Sequence, residues 1–171
     1  MPNYRRATEG NRYFFTVVTA KRNPIFNDKH NTTLLGDIVR ELLLNRPFVI
    51  NAWVLLPDHM HAIWTLPEKD PNFSMRWGWI KKEFTKRYRE ELAGDELKSP
   101  WQPRFWEHLI RDQEDFNNHC DYIHYNPVKH GLVDAPSAWI NSTFHRFVQE
   151  GRYFPDWGST EITFADRVGN E

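Results

Sequence analysis

The chain has 171 residues, 40% of them hydrophobic and 15% aromatic, which is the size of one domain with enough apolar surface to bury a core. A formal net charge of -1 argues against a globally basic nucleic-acid coat protein but leaves room for a local basic surface. The one cysteine, Cys120, excludes an internal disulfide and a thiolate zinc cluster and fits a reducing compartment, so the expected address is the cytoplasm. No stretch approaches the roughly 20 apolar residues needed to cross a bilayer, so no membrane partner is expected.

No internal repeat, low-complexity tract or long linker divides the chain, and a single domain over 1–171 is expected. It would begin with a flexible basic arm over 1–12, containing Arg5, Arg6 and Arg12, and end in a tail over 150–171. Tyr13 to Thr19 is rich in aromatic and β-branched residues and predicts a first strand. Asn31 to Leu44, with Leu34, Leu35, Ile38 and Leu42 at helical spacing, predicts an amphipathic helix that stops before Pro47. Phe48 to Leu56 and His59 to Leu66 flank Pro57-Asp58, a turn signal, and predict a hairpin. Ser74 to Leu92 is helical in pattern, with Trp77, Ile80, Phe84 and Tyr88 on one stripe, Lys81, Lys82, Lys86 and Arg89 largely off it, and Gly94 as a stop. Trp101 to Arg111 predicts a short extended piece, and Gln113 to Tyr125 a helix that Pro127 perturbs at its end. Residues 142–147 and the aromatic tail from Tyr153 to Trp157 carry no clear pattern. Helices interleaved with hairpin strands indicate an α+β domain, an antiparallel sheet covered by helices.

The chemistry starts at His59-Met60-His61. Side chains alternate across a strand with a rise of about 3.3 Å per residue, so the two imidazoles leave one face roughly 6.5 Å apart and can converge on one divalent cation. A pair of core histidines satisfied by backbone carbonyls is the plain alternative. About 60 residues on, Tyr122 and Asn126 stand four apart, share a helix face if the helix runs through Pro127, and His119 lies on that face as well. Cys120 and His124 point elsewhere. Tyr122 is then a candidate nucleophile and Asn126 a third ligand, with packing as the alternative role for the tyrosine and a supporting role open to His119. A phenol with an ordinary pKa of about 10 attacks a phosphodiester only with help from a base or metal. Oxygen and imidazole ligands with open positions suit Mg2+ or Mn2+ as a Lewis acid.

Tyr13-Phe14-Phe15-Thr16, Pro57-Asp58-His59-Met60-His61, Trp106-Glu107-His108, the string from Asp121-Tyr122-Ile123-His124-Tyr125-Asn126-Pro127 through Val128-Lys129-His130-Gly131, and Ser142-Thr143-Phe144-His145-Arg146 occur in this order. Together they resemble the REP-associated tyrosine transposases of the HUH endonuclease superfamily, over nearly the whole chain. The resemblance implies a sheet of the ferredoxin-like, RNA-recognition type and a metal held by the two histidines of His59-Met60-His61. It also implies a 5′-phosphotyrosine link made by Tyr122, and Asn126 as the polar ligand four residues beyond. Related single-strand transposases usually carry Gln at the position of Asn126.

The implied substrate is single-stranded DNA folded into hairpins, repetitive extragenic palindromes with a short flanking tetranucleotide, cut by a monomer with its own tyrosine. Lys81, Lys82, Lys86 and Arg89 could track a phosphate backbone, and Arg5, Arg6 and Arg12 could reach a groove or the unpaired flank. A solvated helix face is the alternative for the lysines, and Trp79, off the apolar stripe, is a stacking candidate or a packed residue. The expected activity is a metal-dependent endonuclease and strand transferase. A domesticated hairpin-binding protein without turnover and a small metal-dependent nucleotide hydrolase are the competing readings.

Overall fold

The computed structural model describes residues 11–92, 98–165 and 168–169. Arg5, Arg6 and Gly94 lie outside them. The elements are β1 (Asn11–Val18), α1 (Lys29–Asn45), β2 (Val49–Leu55), β3 (His59–Leu66), α2 (Phe73–Glu91), β4 (Trp106–Leu109), α3 (Gln113–Lys129) and α4 (Phe144–Gln149). The four strands form one antiparallel sheet in the order β2-β3-β1-β4. With α1 and α2 as the crossovers, this is the α+β, ferredoxin-like arrangement expected.

Strand alternation divides the molecule into two layers. Phe15 and Val17 of β1 and Met60, Ala62, Trp64 and Leu66 of β3 face α1 and α2, where they meet Leu35, Ile38, Trp77, Ile80 and Phe84. Phe14 of β1 and Ile63 of β3 face the other way, toward Phe116, Cys120, Tyr122 and Ile123 of α3 and Phe147 of α4. The pairing of β2 with β3 slips between Ile50 and Ala52, and this irregularity lets Ile50 and Trp53 join the first layer while Ala52 and Val54 join the second. In the first layer Trp64 stacks on Trp77 with centroids 4.2 Å apart and planes 13° from parallel, worth about 1 kcal/mol beyond area burial.

Helix α3 runs further than its sequence predicts. Asp112 caps it, its side chain accepting from Asp115 N at 2.8 Å, and Glu114 and Asp115 occupy the first turn, where the helix dipole favours negative charge. Pro127 sits inside the last turn, so the helix does not stop at Tyr125 but continues to Lys129. Leu132 N donates to Pro127 O and Gly131 N to Val128 O, with Gly131 at φ +70°, the left-handed geometry that glycine adopts at no steric cost. The proline therefore removes one donor where the chain is about to turn anyway.

Arg12, expected in a mobile arm, belongs to β1. It pairs with Thr65, donates through Nε to Thr65 Oγ1 at 3.1 Å, and lays its guanidinium over Phe116 at 4.4 Å. The unassigned segment near 144 is α4, fixed to β2 by Thr143 N donating to Trp53 O and Trp53 N donating to Thr143 Oγ1, both at 3.0 Å. His124 joins α3 to this corner, with Nε2 2.7 Å from Thr143 Oγ1 and Nδ1 3.0 Å from Tyr153 Oη. Burial pushes its pKa down to about 3, so this is a neutral packing histidine.

Asp115 ties β4 to α3. Its Oδ2 accepts from Arg111 N at 2.9 Å and from His108 Nε2 at 2.9 Å, and its Oδ1 is 3.2 Å from His119 Nδ1. Burial alone would raise the Asp115 pKa, but the Arg111 and His108 interactions outweigh it and hold the carboxyl below its ordinary value. A depressed folded-state pKa stabilises the fold above the unfolded value and loses that contribution as pH falls through the folded one. Asp115→Asn is therefore expected to lose about 1–3 kcal/mol in urea unfolding at pH 7, the cost of charge-assisted bonds to a buried carboxylate. The gap to the parent chain should shrink below pH 4, and a gap independent of pH would contradict the account.

Candidate nuclease site

The site forms where α3 crosses β3. His59 and His61 are in the second layer because Met60 and Ala62 are in the first, and both rings are buried, at 2% and 0% exposure. Their centroids lie 5.0 Å apart. Each ring is held from behind through Nδ1. His59 Nδ1 donates to Asp58 Oδ1 at 2.6 Å, and His61 Nδ1 is at hydrogen-bond distance, 2.8 Å, from Thr16 Oγ1, the residue directly across from it on β1. Such tethers fix ring orientation and are the usual support of a metal-binding imidazole.

Asp58 is itself positioned. Arg22 Nη1 donates to Asp58 Oδ2 at 3.4 Å, while Thr19 Oγ1 and Thr19 N donate to Asp58 O at 3.0 and 2.9 Å. Burial would raise the Asp58 pKa, but His59 and Arg22 together hold it below the ordinary carboxylate value. The turn that closes the hairpin thus also orients the first histidine.

From α3, Tyr122 meets His61 edge-on at 5.3 Å between centroids, and His130, the C-cap, meets His59 at 4.9 Å. Asn126 is midway between them, four residues from each, fully buried on the same side of the helix. The continued helix therefore keeps Asn126 on the side that carries Tyr122 and His130, and two imidazoles with an amide oxygen would make a chemically suitable donor set for Mg2+ or Mn2+. Tyr125 is on another face. Its hydroxyl accepts from Ile162 N at 3.3 Å, and its ring packs against Trp157 and Phe164.

His119 does not reach this site as its spacing suggested. The Phe14 ring intervenes, 5.4 Å from His61 on one side and 4.8 Å from His119 on the other. His119 instead stacks on His108 at 4.6 Å. Burial lowers its pKa against the opposing pull of Asp115. His108, Asp115 and His119 also have metal-ligand spacing, with donor atoms within 4.8 Å of one another. Their donors are already committed to each other and to Arg111, whose Nε is 3.4 Å from Asp115 Oδ2 and opposes a second cation.

The basic groups fall on two sides. Lys81, Lys82, Lys86 and Arg89 are on α2, across the sheet from Tyr122. Lys81 is half-buried there, donating Nζ to Gln102 O at 2.9 Å, and burial lowers its pKa. Trp79 is half-buried against the same layer. Lys82 and Lys86 are exposed. On the Tyr122 side, a groove of about 1140 Å³ between α3, α4 and the β2 edge is lined by Arg12, Arg146, Arg152, Phe154 and Trp157. Sequence reasoning did not single out Thr16, whose partner His61 lies on another strand, or Lys129, which comes back over Tyr122 only because α3 continues through Pro127.

Tyr122 is only 2% exposed. Phe164 abuts it at 5.5 Å, and Gly169, at φ +69°, lies so close that a Cβ there would stand 2.0 Å from Tyr122 Cζ. Phe164 and Gly169 thus cover the phenol.

The family described as Transposase IS200 like matches residues 8–126. The chain is 46% identical to the REP-associated tyrosine transposase of Escherichia coli (strain K12), over 98% of this chain and 99% of that protein. A solved REP-associated tyrosine transposase bound to a REP hairpin superposes with TM-score 0.79 at 45% identity, covering 99% of this chain and 100% of the other. A transposase-like chain from Deinococcus radiodurans shares the fold alone, with TM-score 0.51 at 13% identity over 73% of this chain and 92% of its own. Sheet order, site geometry and these likenesses agree: the chain belongs to the REP-associated tyrosine transposases, DNA endonucleases of the IS200-like transposase family.

Proposed function

We propose that this chain cuts and rejoins single-stranded DNA beside hairpin-forming palindromes through a 5′-phosphotyrosine link at Tyr122, with a divalent metal on His59, His61 and Asn126. The observation that carries this reading is the placement of the Tyr122 phenol against His61 while both histidines are tethered through Nδ1. The relative bound to a REP hairpin supports a palindrome hairpin as the substrate.

In the proposed reaction, Tyr122 Oη attacks the scissile phosphorus, the P–O3′ bond breaks, and the strand leaves with a free 3′-hydroxyl. Mg2+ or Mn2+, when bound, polarises the phosphoryl oxygens as a Lewis acid. The protein's own contribution is positioning. Thr16 and Asp58 hold the imidazoles, Phe14 and Ile63 pack under α3, and the helix holds Tyr122 and Asn126 at fixed separation. The covered phenol favours the second reading, a hairpin binder without turnover. Only a covalent product separates the two.

Incubation with a palindrome hairpin and Mn2+, followed by denaturing gels and peptide mass spectrometry, is expected to place the nucleotide on Tyr122. Tyr122→Phe should abolish both cleavage and adduct, whereas Tyr125→Phe should keep the adduct. An adduct on Tyr125 would overturn the assignment, and none from the parent chain would leave the hairpin binder.

The tethers give an independent test. Thr16→Val is expected to weaken Mn2+ binding by about 10–100-fold in calorimetric titration while hairpin affinity stays constant, since removing the partner of a ligating histidine has effects of that order. An unchanged Mn2+ affinity would remove His61 from the metal site.

The two basic surfaces are separable by salt. The groove shares the Tyr122 side of the sheet, so Arg146→Ala with Arg152→Ala is expected to reduce the slope of log K against log salt by about 2, one counterion per lost phosphate contact. Lys82→Ala with Lys86→Ala should change it less. The reverse ranking would put the DNA on α2.

A further inference from the structure

Lys129 lies within the string that carries the family resemblance, yet neither the metal nor the nucleophile reading uses it. It sits seven residues beyond Tyr122 on α3, and because two helical turns cover about 7 residues, it projects from the same side of the helix. Its Nζ donates to Tyr122 Oη at 2.9 Å and stands 4.8 Å from the centroid of the Tyr122 ring. A lysine in the last turn ordinarily gains from the helix dipole by resting near the terminal carbonyls. Here the ammonium is on the phenol oxygen instead. Among the described residues, titratable neighbours include His61, edge-on to the Tyr122 ring, with His59 and His130 beyond it, while Phe14 and Phe164 supply apolar walls.

We propose that Lys129 is a catalytic residue whose ammonium stabilises the negative charge carried by Tyr122 Oη, on entry to the phosphotyrosine link and again when that link is resolved. This rests on Tyr122 being the nucleophile. In the forward step the Oη–P bond forms and P–O3′ breaks, the phenolic proton passes to solvent, and O3′ takes up a proton. In the reverse step a 3′-hydroxyl attacks phosphorus, O3′–P forms, Oη–P breaks, and the departing phenolate is reprotonated from solvent. Lys129 keeps its charge throughout and lends a hydrogen bond. A preorganised donor aimed at developing charge is the kind of contact whose removal costs 10²–10³-fold in rate.

The test measures single-turnover cleavage of a palindrome hairpin with Mn2+, together with hairpin affinity. Lys129→Met is expected to lower the maximal rate about 100-fold at saturating DNA, with the dissociation constant within about twofold of the parent, and Lys129→Arg should recover most of the rate. A substrate with sulfur in place of the scissile O3′ identifies the oxygen served. Sulfur leaves readily, so a lysine acting on the leaving group becomes dispensable, whereas one acting on Oη does not. The Lys129→Met defect is expected to persist on the sulfur substrate. Loss of the defect there, a fall in affinity that accounts for the rate, or parental cleavage by Lys129→Met would each overturn the proposal.

A turnover-free measurement separates this inference from the wider functional reading. The Lys129 ammonium resonance, observed by NMR, is expected to shift in Tyr122→Phe. An unmoved resonance would overturn the contact even in an active protein. Should the parent chain form no adduct while the resonance shifts, the phosphotyrosine reading and the catalytic role fail together and the contact is structural.

Discussion

Everything at the site depends on how α3 lies across the second face of the sheet. The alternation of β3 puts His59, His61 and Ile63 on that face, and Phe14 of β1 fills the space beside them. Over this floor α3 presents Tyr122, Asn126 and the C-cap His130 at successive intervals of four. The two ends of the row meet His61 and His59 respectively. That correspondence requires a helix unbroken through Pro127. The proline is tolerated because it falls in the final turn, where Gly131 and Leu132 close the helix by bonds that do not need its missing N–H.

The sheet separates stability from chemistry. Its first face carries a dense aromatic layer under α1 and α2, including the Trp64–Trp77 stack and Phe84. The second face buries polar groups, His59, His61, His119, His124 and Asn126 among them, and buried polar groups are costly unless they are hydrogen-bonded. Thr16, Asp58, Asp115 and Thr143 supply partners for the four histidines. The same contacts that make burial tolerable also fix the imidazoles in place, so orientation of the site is a by-product of satisfying it.

Much of this was legible in the sequence where the signal is local. The period-two pattern of β3 identified the histidine pair and its shared face, and helical spacing separated Tyr122 from Tyr125. Local rules failed where a distant element decided the outcome. Pro127 looked like a helix end because its penalty is a property of the residue, whereas its position in the last turn is a property of the cap beyond it. Arg12 looked like part of an arm because its pairing with Thr65 lies on another strand. His119 shares the Tyr122 face by spacing, but Phe14 interposes its ring. Thr16 as the support of His61 follows only from the β1–β3 register, which no local pattern reveals.

The central claim is that the metal and the nucleophile meet between β3 and α3. Anomalous diffraction from crystals of the full chain with Mn2+ and a palindrome hairpin tests it most directly. The account predicts a manganese peak bonded to Nε2 of His59 and His61, with Tyr122 Oη facing the scissile phosphate. A peak among His108, Asp115 and His119 instead, with none at the histidine pair, would contradict it.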